Sequence, residues 1–156
     1  MAGATLCMKN HFGTIDSPRN MHINYGDPYI AALNAIEPIK SKQVLAILDG
    51  ILGAAEGGPY GAPTFVANKI IMSQDTVAVD ALGRELLEEQ NSSTVEWATY
   101  IDSGVDYDLG TNDPTKMEVI SITNPSSENE VETIAASSGE TISRVVVAED
   151  DMASIV

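Results

Sequence analysis

A single cysteine, Cys7, is all the thiol this chain carries. An internal disulfide is therefore excluded, as is an iron–sulfur cluster held by this chain alone, which normally takes four thiolates. Basic residues are scarce as well: eight Lys and Arg stand against 23 Asp and Glu, for a formal net charge of -15. Tight nucleic-acid binding needs cations to displace phosphate counterions, so that class of function is excluded. No apolar run approaches the roughly 18–20 residues of a membrane-spanning helix. The amino-terminal stretch lacks the basic-then-apolar order of an export signal, and localisation is not legible.

What is present is a chain of 156 residues, 44% hydrophobic, enough for one domain that buries roughly 68–70% of its unfolded surface. The excess of carboxylates reads first as an acidic, solvated surface and second as a source of ligands for a hard cation. The organising stretch runs from Val44 to Gln90. Val44–Leu48 is apolar and stops at Asp49-Gly50; a glycine-rich segment, 53–61, follows; a second apolar run, Lys69–Met72, stops at Ser73-Gln74-Asp75. Helical spacing begins at Thr76. Near-continuous apolarity predicts strands buried on both faces, as in a parallel sheet covered by helices. Each strand would deliver an aspartate to its carboxyl end, where ligands collect in open α/β sheets.

Before this stretch, residues 4–8 are apolar and lead into Lys9-Asn10-His11, an ammonium, an amide and an imidazole in one loop. Such a cluster suits an anion or a carboxylate; the plainer reading is a polar loop with Phe12 facing the core. Apolar residues so near the start predict an exposed patch, self-association, or a missing amino-terminal half. Asp27-Pro28 predicts a helix start, with His22 just ahead of it. His22 and Asp80 are weak metal candidates, since no C-x-x-C or H-E-x-x-H spacing supports them. Gly57 and Gly58 suit a close backbone approach to a ligand, but the loop matches no phosphate fingerprint. Asp75 is placed to cap the helix from Thr76. Asp80 shares a helix face with Arg84. Ser93 and Glu96 have capping-box spacing ahead of a further helix that Gly104 stops. Met117–Ile122 reads as a strand, and residues 123–156 as a linker and partly ordered extension with strands at 131–134 and 142–147.

Taken in order, Lys9–Ile15, His22 before a helix, Leu48-Asp49-Gly50, Gly57-Gly58-Pro59, Ser73-x-Asp75 with Val77–Asp80, and Gly110-Thr111-x-Asp113-Pro114 form a series. The series resembles the carboxyl half of the bacterial and archaeal "domain of unknown function 362" proteins, over roughly residues 4–121. The resemblance implies an α/β domain and redox-associated, metal- or anion-dependent chemistry. Some longer relatives carry ferredoxin-like modules or an export signal, which this chain lacks.

The expectation is thus an α/β fold, a mainly parallel sheet flanked by helices, as an incomplete domain over residues 1–122 with a short β-rich extension. The candidate catalytic residues are Lys9, Asn10, His11, Asp49 and Asp75, gathered at one polar crevice. A divalent metal is the candidate cofactor, and the small-molecule ligand is not legible. The rival reading is a non-catalytic binding or assembly module in which the same residues are caps and turn anchors. The two separate on whether the polar groups converge.

Overall fold

A computed structural model describes residues 2–123 and 142–149. In chain order, a 3-10 helix at Met8–Thr14 and two short 3-10 turns precede helices α1 (Tyr29–Ala35) and α2 (Glu37–Lys40). Strands β1 (Ala46–Gly53) and β2 (Phe65–Ser73) follow, then the long helix α3 (Thr76–Glu89), helix α4 (Tyr100–Asp106) and strands β3 (Met117–Thr123) and β4 (Ser143–Glu149).

The strands form one sheet in the order β1-β2-β4-β3. β1 pairs antiparallel with β2, β2 antiparallel with β4, and β3 parallel with β4. The α/β architecture with flanking helices is as expected. The sheet is mixed rather than mainly parallel. The physical reason lies in the apolar runs: they are not covered on both sides. Ala46 and Leu48 are buried, while Ile47 between them is 56% exposed. The region after residue 122 supplies β4, which lies inside the sheet between β2 and β3; the expected strand at 131–134 falls outside the described residues.

α3 is the centre of the fold. Its first turns, Thr76 to Ala81, are buried on every side, the pattern of a helix enclosed by other elements rather than lying on a surface. Ala78 and Val79 pack on Ala46, Leu48, Ile71, Val145 and Val147 of the sheet. Val77 and Ala81 face the other way, into a core made by Met8, Phe12, Ile30, Tyr100 and Ile101. The apolar start of the chain is spent here: Ala2, Ala4 and Met8 are buried in this core, not displayed as a patch. The opposite face of the sheet carries the row Ile47, Met72, Val146 and Ile120.

Three local expectations are corrected. β1 does not stop at Asp49 but runs through it to Gly53, so Asp49 sits mid-strand opposite Ile70. Pro28 rather than Asp27 precedes the first turn of α1, because the Asp27 carboxylate is taken by the Thr99 and Ser103 hydroxyls of the α4 region. Ser93 makes no capping box, since its N–H donates to Glu56; α4 starts only at Tyr100, and Gly104 lies within it, pressed against Val77 and Met8.

Candidate functional site

Two cavities flank β1, and most of the sequence-derived candidates line one or the other. The first, about 400 Å³, lies between the amino-terminal segment, the β1–β2 loop and the end of α3. Lys9, Asp49, Gly57 and Gly58 line it, with Leu48, Leu52, Phe65, Leu86 and Leu87 as apolar wall. The second, about 440 Å³, takes in Asn10, His11 and Asp49 along the outer side of β1. His22, Asp75 and Asp80 line neither.

Lys9 is half-buried on the 3-10 helix, and its Nζ donates to Thr5 Oγ1 at 3.2 Å, one turn back. Among the described residues it makes no ion pair. Burial in a partly apolar cleft disfavours the ammonium and holds its pKa below the ordinary lysine value. Asp49 is exposed, and its Oδ1 accepts from the N–H of Ile51 at 3.0 Å. The glycine-rich loop forms the cleft's lip. Gly57 has φ +85°, a conformation other residues adopt at a cost. Three polar ties hold the lip in place: Ala55 N–H to Thr64 Oγ1, Ser92 Oγ to Ala55 O, and Ser93 N–H to Glu56 Oε1.

His11 is tied through Nε2 to Gln43 Oε1 at 3.0 Å. His22 is held by Nδ1 on Pro18 O at 2.8 Å and by an edge-on contact with Phe12. Asp75 is a structural hub. One oxygen caps α3 through Ala78 N–H at 2.8 Å, the other accepts from Thr111 N–H at 3.0 Å, and the Ser143 hydroxyl joins it. It thereby fixes three segments: the helix start, the loop after α4, and the start of β4.

Asp80 is fully buried. Its Oδ1 accepts from Cys7 N–H at 2.8 Å and its Oδ2 from Met8 N–H at 3.1 Å, so it caps the 3-10 helix across the fold. It does not pair with Arg84, whose partners are Glu88 and Asp102. Burial pushes its pKa up to about 7, against the two backbone N–H groups, which favour the carboxylate. Burial first, and Asp80 second, push the Cys7 thiol up to about 12. Cys7 is a thiol at neutral pH, not a nucleophilic thiolate. The same causes, in the same order, hold the buried Tyr100 hydroxyl well above its usual range. Its oxygen lies close enough to Asp80 for each to shift the other, although among the described residues it meets strict hydrogen-bond geometry with no partner.

Several site residues carry no local sequence signal. Gln43 meets His11 from 32 positions away, and Leu86, Leu87, Ser92 and Thr94 reach the cleft only because α3 folds over it. Thr5 was within reach of inspection, four residues before Lys9.

Fold and site together define an α/β protein with a lysine-bearing cleft beside an edge strand. A model of the domain of unknown function 362 family matches residues 1–85, and the chain belongs to that family. The match covers the 3-10 helix, β1, the glycine-rich lip, β2 and the buried half of α3, and stops short of Gly110–Pro114. No curated protein and no solved structure matches the chain.

Proposed function

We propose that this chain is a binding module whose cleft takes a small organic anion with an apolar body. The observation that carries this reading is Lys9, a half-buried ammonium with a hydroxyl but no carboxylate for a partner among the described residues. A buried charge is ordinarily paired, and an incoming carboxylate would supply the missing partner in a charge-assisted hydrogen bond. The wall of Leu48, Leu52, Phe65, Leu86 and Leu87 suits an aliphatic or aromatic body. Glycines in the lip let backbone approach the ligand without side-chain bulk.

Metal-dependent and redox-associated chemistry, which the family resemblance implies, has no comparable support. The carboxylates of Asp75 and Asp80 are taken up by backbone donors. Among the described residues no three His, Cys, Asp or Glu groups gather as a ligand set. The candidates lining the cleft support recognition, while Asp75, Asp80 and His22 support the fold.

Calorimetric titration with acetate, hexanoate and inorganic phosphate tests the reading. Hexanoate is expected to bind more tightly than acetate, each buried methylene adding about 0.8 kcal/mol, and Lys9→Met to abolish the binding. Hexanoate binding that survives Lys9→Met unchanged would overturn it.

A further inference from the structure

We propose that the free edge of β1 is a docking site for an extended segment of another polypeptide, apolar and β-branched, with a basic residue set against Asp49. Among the described residues, β1 lies at the end of the sheet order and pairs on one side only. A bare edge is a row of main-chain donors and acceptors, and proteins usually blunt it with lysine, proline or a covering element. β1, with the sequence Ala46-Ile-Leu-Asp-Gly-Ile-Leu-Gly53, has neither lysine nor proline; Asp49 and the register shift between Gly50 and Leu52 are what interrupt its edge. Its apolar side chains are open instead: Ile47 is 56% exposed, Ile51 48% and Leu52 56%.

Beside this edge lies the second cavity, about 440 Å³, an open groove rather than a closed hole. Leu45 to Asp49 line it together with Asn10 and the hydrogen-bonded pair His11 and Gln43. Polar side chains facing a strand edge suit the peptide groups of an added strand, and open aliphatics beside them suit its alternate side chains. Asp49 is the only charge on β1. It now holds the N–H of Ile51, which has no partner in the β1–β2 register. A cation that takes the carboxylate would release that N–H to the incoming strand.

Charge selects the occupant. A second copy would bring -15 against -15, and a two-fold pairing centred on Asp49 would set carboxylate against carboxylate, which destabilises a sheet. A segment with a basic residue meets attraction both locally and at long range. The groove does not include Lys9, although it shares Thr5, Leu6, Leu48 and Asp49 with the anion cleft.

The test uses a short capped peptide alternating valine with threonine and lysine, titrated into the whole chain and followed by NMR. Expected is saturable binding with slowed amide exchange confined to β1, lowered at least about tenfold by Ile47→Lys, a change worth one buried aliphatic contact. Ile47→Thr, which keeps a β-branched residue in the strand, guards against misfolding and should lower affinity less. Equal binding to wild type and Ile47→Lys, or protection away from β1, would overturn the proposal. So would a stable dimer with β1 amides protected before peptide is added, since a second copy would then be the occupant.

Discussion

Replacing Asp80 by Asn should change how stability depends on pH more than it changes stability itself. In the folded protein burial pushes the Asp80 pKa from 3.8 up to about 7; in the unfolded chain it reverts to about 3.9. A carboxyl raised on folding binds its proton more tightly in the native state, so the stability it contributes is fully present below about pH 4. It is lost progressively as pH rises, until it is gone just above pH 7. Each tenfold difference in proton affinity is about 1.4 kcal/mol, so the loss across that window is on the order of 4 kcal/mol. Asn is neutral throughout and has no such slope. Its amide nitrogen cannot accept, whereas the carboxyl, protonated or not, presents an oxygen to each of the Cys7 and Met8 N–H groups, and an unpaired buried donor costs about 1–3 kcal/mol. Asp80→Asn should therefore be less stable than wild type near pH 4 and should match or exceed it near pH 8. Urea unfolding at a series of pH values reads the difference directly. Parallel wild-type and variant curves would refute the reasoning, because they would mean that folding does not raise the Asp80 pKa. Asp80→Ala is the control: two N–H groups lose their acceptor, and the cost should be about 2–6 kcal/mol.

Asp75→Ala removes a helix cap and two further acceptor contacts, so it should cost about 2–5 kcal/mol in denaturant unfolding, more than the cap alone would. Gly110→Ala should act on the same group: a Cβ at Gly110, which has φ +152°, would sit 1.7 Å from Asp75 Oδ1. The double variant should then be little worse than either single one, and strict additivity would show that the two residues are not coupled. Hexanoate affinity should fall as pH rises through the depressed Lys9 pKa, below the usual lysine range of about 10.4; a pH-independent affinity would remove the ammonium from the binding account.

The helical core was legible because its signals are local. The apolar run Thr76–Leu82 with Asp75 ahead of it carries both the helix and its cap, and α3 begins where that pattern begins. A lone aspartate inside such a run is also a readable sign of a satisfied buried group, yet only the fold reveals that its donors are Cys7 and Met8, more than 70 residues away. The sheet's direction is not legible in its apolar runs, because such runs do not report how many faces are covered. The better signal was loop length. Residues 54–64 separate β1 from β2, and a parallel crossover needs about a dozen or more residues, usually helical. Lys9 and Asp49 line one cleft, a placement that rests on contacts across 40 residues and that no local pattern specifies. The exclusion of Asp75 is not legible either, because β1 and β2 run in opposite directions and place Ser73 beside Ala46, not beside Gly53.

Lys9 is one of five lysines in the chain, which makes its ammonium accessible to direct observation. An NMR titration of the lysine side chains, assigned by Lys9→Arg, tests the binding account at its central atom. Without ligand the Lys9 signal should titrate below the ordinary lysine value, and saturating hexanoate should raise that pKa, because a bound carboxylate favours the charged form. A Lys9 that titrates at the ordinary lysine value and ignores hexanoate would contradict the account.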